Sequence, residues 1–323
     1  MTKKSKITLL AGGIIIVLGL IFCIVGSVLA NKAGDKLFAE KTDKGSVYTY
    51  EFDGGNVDRM TIDVADAVVN IIGGSEKSYI ELCNFDENYY TFNLSNRIVK
   101  LSESRDFQSV LRFWENGLTF KGMRYIFKVG QPAGEKAVNI YLTEKDAVKN
   151  FTISCGEGKI NVSNLSTSTD YNLTLDNGAV NMENITTDSI ITISSTESTD
   201  CKIALKNVST TTLNIKAAKA AVSSEKLQLN GGAIDVTNGS AQIDFVPAVD
   251  YFTVNVTTSG KLTVNNTSYI NTFTFENLPE AAETDENTSA TATPESVPAL
   301  NITGRDLNVK LTGDCFNNIN TGE

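Results

Sequence analysis

The sequence contains no histidine among its 323 residues, and this absence removes several classes of function. Ser-His-Asp and Cys-His catalysis both need an imidazole base, and histidine is also the commonest zinc ligand. Aromatic residues are few as well, at 8% of the chain. We therefore expect no enzyme activity and no cofactor, and we assign no catalytic, cofactor-binding or metal-binding residues.

Basic residues are in deficit. The chain holds 28 Lys and Arg against 38 Asp and Glu, for a formal charge of −10. Residues 1–30 carry three lysines and no acid, so the remainder carries −13. Nucleic-acid binding depends on Lys and Arg that neutralise phosphates. We therefore expect no nucleic-acid partner and no unaided attraction to anionic lipids or polymers.

What the sequence does contain is an internal repeat. Phe151 to Leu165 reads FTISCGEGKINVSNL, and Tyr171 to Ile185 reads YNLTLDNGAVNMENI, which gives a period of 20 residues. A degraded copy begins at Cys201, and weaker echoes begin at Gly232 and Gly260. The aligned pairs include Gly158 with Gly178, Ile160 with Val180, Val162 with Met182, and Asn164 with Asn184. Repeats of this length predict a β-solenoid, an all-β fold of stacked strand repeats in which each repeat buries its apolar face on its neighbours.

Within one repeat the apolar residues alternate, as in a strand with one buried face. Asp176-Asn177-Gly178 is a strong turn signal that could instead close an antiparallel hairpin. Stacking is favoured by an asparagine two residues after the last apolar residue of each second strand. These residues are Asn164, Asn184, Asn207, Asn238 and Asn266. Amides at one corner of successive repeats can form a hydrogen-bonded ladder, although asparagine also simply suits a turn.

Cysteine usage leaves two alternatives. The five cysteines are Cys23 in the apolar N-terminal run and Cys83, Cys155, Cys201 and Cys315 beyond it. Four exported cysteines allow three disulfide pairings. However, Cys155 occupies the apolar position that Leu175 fills in the next repeat, which favours a buried free thiol. The spacings match no metal motif.

The N-terminal region predicts a membrane anchor. Ile7 to Ala30 is an uncharged apolar run, long enough to cross a hydrocarbon core of about 30 Å. Lysines within residues 1–6 favour a cytoplasmic N-terminus, with the C-terminal domain outside the cell. The alternative is a cleaved signal peptide, because Val28-Leu29-Ala30 resembles a cleavage site. Residues 31–56 are predicted to be a juxtamembrane linker.

The remaining chain predicts one strand-rich ectodomain, residues 57–278. Within it, Phe107, Val110, Leu111 and Trp114 have helical spacing and predict a short helix or cap, or a partner contact through the tryptophan. Pro279 to Pro298 is acidic and poor in large apolar residues, which predicts a disordered linker. Residues 299–316 predict two strands that cap the repeats, followed by a tail, residues 317–323.

The chain resembles a family of bacterial exported β-strand-repeat proteins grouped as putative adhesins, which are domains of unknown function. The residues that carry the resemblance are Val57 to Leu82, Ala137 to Leu165 and the repeats that follow. The resemblance implies a bacterial surface protein with a β-solenoid-like ectodomain. It brings no catalytic residues. The acidic insertion and the helical segment depart from the family pattern.

Three functions follow, in decreasing order of support. The first is a binding or structural role at the cell envelope, in which outward residues contact a polysaccharide or protein. Residues 7–30 would lie in the lipid bilayer. These outward residues are Lys159, Asn161, Ala179, Asn181 and Glu183. The second is an accessory role in an envelope-stress response. The third is a carbohydrate-active enzyme that uses paired carboxylates, for which the candidates are Asp170, Asp176, Glu183 and Asp188.

Overall fold

The structure is a computed structural model that describes residues 47–85, 90–103, 135–144, 146, 148–195, 200–249, 251–277 and 297–317. These residues are almost entirely β-strand, which confirms the predicted all-β class. The strands are β1 Val47–Glu51, β2 Arg59–Ile72, β3 Tyr79–Cys83, β4 Tyr90–Ser95, β5 Ile98–Glu103, β6 Ala137–Tyr141, β7 Asn150–Ser166, β8 Asp170–Thr186, β9 Ile190–Ser195, β10 Cys201–Pro247, β11 Phe252–Thr258, β12 Leu262–Val264, β13 Thr267–Tyr269, β14 Thr272–Asn277, β15 Ala299–Gly304 and β16 Asp306–Thr312. Gly54–Asn56 and Asp314–Phe316 are single 3₁₀ turns.

The two near-copies in the sequence become β7 and β8, which lie side by side, parallel and in register. Gly158 pairs with Gly178 and Val162 with Met182, as the repeat predicts. Both members of the second pair are buried. The alternation of apolar residues therefore places one face of every stacked strand in a shared core, and a hairpin closed at Gly178 is excluded.

The buried positions change phase within each long strand. In β7 the buried side chains are at Phe151, Ile153 and Cys155 before the glycine pair, and at Ile160 and Val162 after it. The switch occurs at Gly156–Gly158, where Gly158 has φ +138°. A residue with a side chain would not fit there, because its Cβ would lie 2.1 Å from the carbonyl oxygen of Ala67 on β2. Each glycine thus turns the chain while the neighbouring strands stay at hydrogen-bonding distance.

The third, degraded copy also stacks in parallel. Cys201 of β10 pairs with Gly178, and Val208 pairs with Ile185. The following stretch, whose register the sequence leaves undefined, continues the same arrangement, with Leu213 opposite Ile191. The offsets here are 23 and 22 residues instead of 20. The sequence period is lost because connecting residues are inserted between strands, whereas the pairing is retained.

In the part of the chain that the structure describes, sixteen strands form one sheet, which is not closed. The two ends of the strand order are antiparallel. At one end β1 pairs with β3 and β4 pairs with β5, and at the other β14 pairs with β11 and β13 with β12. Buried apolar side chains from all parts of the sheet form one continuous core. Antiparallel strands therefore end the parallel stack at both sides.

Two predicted segments are wrong. Residues 47–56 are not a linker: they contain β1 and a 3₁₀ turn, and Tyr48 and Tyr50 pack against the core. Residues 299–316 contain the two predicted strands, but these do not cap the repeats, because β15 lies between β10 and β11, inside the sheet. Its backbone groups are paired on both edges there, and its alternating apolar residues lie in the core.

Other predictions fall outside the described residues. These are the apolar run Ile7 to Ala30 with its flanking tail, the helical segment Phe107 to Trp114, and nearly all of the acidic stretch. Among the residues that the structure describes, no helix has the length and apolar character needed to cross a membrane. The described residues all belong to one unit, made of Val47–Arg105 and Glu135–Glu323.

Candidate binding surface

The outward face of the second halves of the stacked strands carries the most regular polar pattern in the described part of the chain. In β7, Lys159, Asn161 and Ser163 alternate with buried Ile160 and Val162. The same alternation continues in β8, where the corresponding outward residues are Ala179, Asn181 and Glu183. The five outward residues predicted from the sequence therefore lie on one face, in adjacent register rows.

The middle row of this face is a chain of side-chain amides. Asn70 Nδ2 donates to Asn139 Oδ1 at 2.7 Å, and Asn161 Nδ2 donates to Asn70 Oδ1 at 2.8 Å. Asn181 Nδ2 then donates to Asn161 Oδ1, also at 2.8 Å. We call these four residues the amide row. A primary amide has two donor hydrogens and two acceptor lone pairs. A central member of the row uses one of each within the row, so another donor and acceptor remain at every strand.

The sequence predicted Asn161 and Asn181 as outward residues but not the other half of the row. Asn70 and Asn139 lie on β2 and β6, far from the 20-residue repeat in sequence. A signal was nevertheless present, because each of the four asparagines stands between two apolar residues. The triplets are Val69-Asn70-Ile71, Val138-Asn139-Ile140, Ile160-Asn161-Val162 and Val180-Asn181-Met182.

Aromatic side chains lie beside one end of the amide row. Tyr79 and Tyr141 are register partners on β3 and β6, and their rings stack with centroids 4.4 Å apart. Glu81 stands opposite Asn139. The pKa of Tyr141 is raised, chiefly because the side chain is partly buried and next because Glu81 carries a negative charge. This end therefore combines a flat apolar ring surface, an amide and a carboxylate on three neighbouring positions of one sheet face.

At the other end the row stops at Asn181, whose next register partner is Ala204. In the adjacent row Glu183 forms an ion pair with Lys206 at 2.9 Å. The hydrogen bond that Lys206 donates to the Glu183 carboxylate raises the pKa of Lys206, so the lysine stays charged at neutral pH. Both side chains are about half exposed, and an exposed pair of this kind contributes little to stability.

A second amide ladder runs along the corner of the repeats, as predicted. Asn184 Nδ2 donates to Asn164 Oδ1 at 3.1 Å, and Asn207 Nδ2 donates to Asn184 Oδ1 at 2.9 Å. All three have φ between 51° and 56°, a left-handed conformation that asparagine tolerates better than most residues. The ladder and turn interpretations are therefore both correct for these residues. Asn238 pairs in register with Asp306, and Asn266 lies in the turn of the β12–β13 hairpin, so the predicted five-member ladder has three members.

The candidate catalytic acids have other partners or positions. The Asp170 carboxylate accepts from the backbone of Ile190, and Glu183 is in the ion pair with Lys206. Asp176 lies six residues from Asp170 along β8, and Asp188 follows the end of that strand. Among the described residues, no cluster of three or more Cys, Asp or Glu side chains is placed to hold a metal ion.

The four cysteines beyond the apolar run, all among the described residues, carry thiols and form no disulfide. Cys155 pairs in register with Leu175 and is buried, which confirms its interpretation as a small apolar residue. Burial raises the pKa of Cys201 to about 11, so its thiol stays protonated at neutral pH. The disulfide alternative is not what the structure shows.

No family model matches this chain, and neither does any curated protein. Solved structures do show some likeness. One is described as a putative cell adhesion protein from Clostridium sporogenes, with 11% identity, a TM-score of 0.32, and coverage of 84% of this chain and 100% of that chain. A putative adhesin from Bacteroides fragilis has 9% identity and a TM-score of 0.40, covering 83% of this chain and 97% of its own.

A third is described as a putative lipid binding protein from Parabacteroides distasonis, with 11% identity, a TM-score of 0.25, and coverage of 83% and 94%. Two of these three descriptions name the kind of protein that the sequence resembles. At such identities and TM-scores these likenesses carry no argument about the function of this chain.

Proposed function

We propose that this chain is a membrane-anchored bacterial cell-surface protein with a non-catalytic binding or structural role at the envelope. Its stacked strands form the successive turns of a solenoid, and the apolar run Ile7 to Ala30 is the anchor. The face that carries the amide row is the contact surface, and its partner is an envelope polysaccharide or protein.

The amide row is the observation that supports this proposal. Its four members span four neighbouring strands, and strands in a sheet are about 4.8 Å apart. The row therefore offers donor and acceptor groups at a fixed spacing over roughly 15 Å. The row holds each amide in place before a ligand arrives, so less side-chain entropy is lost on binding. A regular, pre-ordered row suits a repetitive or extended partner better than a small molecule.

The non-catalytic part of the proposal is supported by composition and by the positions of the acids. The chain has no histidine, and Asp170 and Glu183 already serve backbone and lysine partners. Incubation of the purified protein with wall polysaccharide should release no reducing ends. A measurable release would contradict this part.

Binding is tested with one substitution on each face of the stack. Asn181→Glu changes the last member of the amide row, where only one row hydrogen bond is lost. Asn172→Glu is the matched control: it is also an exposed asparagine of β8 with a register partner on β7, but it lies in the first half of the strand. Both add the same charge to the same strand.

The measurement is co-sedimentation of the purified protein with insoluble cell-wall material, with and without its associated proteins. The wild-type protein and Asn172→Glu should co-sediment, and Asn181→Glu should lose at least tenfold in affinity, equivalent to about 1.4 kcal/mol. No co-sedimentation of the wild type, or an equal loss in both variants, would contradict the assignment of this face. Protease treatment of intact cells, followed by membrane fractionation, tests the anchor and its orientation.

A further inference from the structure

Near the C-terminal end, the order of strands in the sheet departs from their order in the chain. β10 ends at Pro247 and the chain continues into β11, yet these two strands are not neighbours. β15 lies between them: Ile302 pairs with Ile234 on one side and with Val256 on the other. β16 likewise lies between β10 and β12. The strands within residues 232–277 therefore leave a gap one strand wide, which β15 and β16 fill one after the other. We call this gap the acceptor slot.

The acceptor slot has to be filled by apolar side chains. It takes up the apolar side chains of the inserted strands, which are at most 3% exposed: Leu300, Ile302, Leu307, Val309 and Leu311. Phe316 follows β16 and meets Phe275 with ring centroids 5.3 Å apart. An empty slot would expose this apolar lining and leave two rows of backbone groups unpaired on its edges. The protein is therefore stable only when some segment with this pattern occupies the slot.

The connection that delivers these strands is far longer than the distance it covers. Asn277, the last residue of β14, pairs with Phe252, and Ala299, the first residue of β15, pairs with Thr253. The two ends thus lie on opposite sides of β11, about 10 Å apart at two strand spacings. Between them the sequence has 21 residues, 278–298. An extended chain of that length reaches roughly 70 Å, enough to enter the slot of an adjacent molecule.

We propose that β15 and β16 form an exchangeable strand pair, and that the partner it fits is a second copy of this chain. Each copy inserts its pair into the acceptor slot of the other, with the registers seen within one molecule. Such a reciprocal exchange closes on itself as a twofold dimer. This interface does not involve the amide row, so it extends the proposed surface role without depending on it.

The length of the connection decides between the two forms, because their contacts are otherwise the same. A connection of 21 residues holds its own strand pair at an effective concentration of roughly 1 mM. The chain is therefore a monomer at micromolar concentration and exchanges when its local concentration approaches that value. Molecules crowded on one membrane, or on two opposed surfaces, meet this condition more readily than molecules in dilute solution.

The test shortens the connection in the full chain, in detergent. Deleting residues 278–297 leaves only Pro298 between Asn277 and Ala299, and this link spans at most about 7 Å. That is shorter than the gap of about 10 Å, so the strand pair cannot fill the slot of its own molecule. The control replaces residues 279–297 by a Gly/Ser sequence of equal length, which keeps the reach and changes the composition.

Protein mass is measured by light scattering, with circular dichroism as the measure of folding. At about 10 μM, a hundredfold below the effective concentration, the wild type and the Gly/Ser variant should have the same mass, and the deletion variant twice that mass with an unchanged β spectrum. A folded deletion variant of unchanged mass would overturn the proposal.

A second measurement does not depend on the folding of that variant. Two differently tagged wild-type chains are mixed, unfolded, refolded at about 1 mM and then diluted rapidly. Co-purification of the two tags in a substantial fraction of the protein is expected, together with its loss when Val309→Asp removes the fit of β16. Absence of any mixed dimer under these conditions would overturn the proposal.

Discussion

Gly178→Ala is the substitution whose effect the structure predicts most sharply. Gly178 has φ +129°, and an added Cβ would lie 1.9 Å from the carbonyl oxygen of Gly158 on β7. Real Cβ contacts are not shorter than 3.0 Å, so the two strands must separate by roughly 1 Å at this point. Such a separation weakens the ladder hydrogen bonds on both sides of the pair.

The magnitude follows from two contributions. Forcing a residue with a side chain into a left-handed backbone conformation costs about 1–2 kcal/mol. Two weakened ladder hydrogen bonds add about 1–3 kcal/mol. The free energy of unfolding should therefore fall by about 2–5 kcal/mol. The corresponding drop in Tm is about 2–4 °C per kcal/mol for a domain of this size.

Gly74→Ala is the matched control. Gly74 also has positive φ, +78°, but no atom lies within 4 Å of its added Cβ. Only the backbone contribution of about 1–2 kcal/mol applies there. Urea unfolding followed by circular dichroism measures both variants in one series. If Gly178→Ala loses no more stability than Gly74→Ala, β7 and β8 do not approach each other as described.

Three further predictions concern the stack. Asn184→Ala should lower the free energy of unfolding by about 1–2 kcal/mol and Asn184→Gly by less, because glycine adopts the left-handed φ freely. Urea unfolding measures both losses, and equal losses would show that φ is not the reason for asparagine at this corner. Met182→Ala should lower the free energy of unfolding by about 2–5 kcal/mol and Met182→Leu by less than about 1.5 kcal/mol, measured in the same way. A small effect of the alanine substitution would mean that the Met182 side chain is not in the core. Burial raises the pKa of Tyr171 from 10.0 to about 12. The unfolded chain therefore loses this proton first, and stability should fall as pH rises from 10 towards 12. Tyr171→Phe should reduce that fall in pH-dependent thermal unfolding, and an unchanged alkaline profile would contradict the burial of the hydroxyl.

The sequence predicted the central strands because their residues repeat. The same period aligns Val162 with Met182 and Gly158 with Gly178, and the structure pairs these residues as aligned. Here one periodicity carries both the secondary structure and the register. Prediction succeeded wherever the local pattern and the neighbouring strand came from adjacent repeats.

The sequence did not predict pairings between distant segments. β2 and β7 are neighbours in the sheet, yet β3 to β6 lie between them in the sequence, so Arg59 and its partner Asn150 are far apart in the chain. Alternation identifies both as strands with one buried face but does not say which strands pair. The same limit explains the amide row, since Asn70 and Asn139 carry no repeat signal beyond their apolar neighbours.

The position of β15 and β16 shows this limit most clearly. Leu300, Ile302 and the apolar residues of β16 alternate like any other strand pair, and the sequence order suggested an end cap. The structure instead places β15 and β16 in the interior of the sheet. The preceding strand β11, which begins at Phe252, lies one strand position beyond β10 and leaves that position open. The position of β15 and β16 depends on where the folded sheet leaves a gap. The sequence of a single strand does not contain that information.

The central claim is that β7 and β8 stack in parallel and in register, and methyl NMR tests it most directly. Selective labelling of Val, Leu and Met methyl groups would report on Val162 and Met182, which are register partners on strands about 4.8 Å apart, and also on Leu175 and Val180. The account predicts a strong nuclear Overhauser contact between them and none between Leu175 and Val180. A contact between Leu175 and Val180, with none between Val162 and Met182, would show a hairpin turning at Gly178 and would contradict the account.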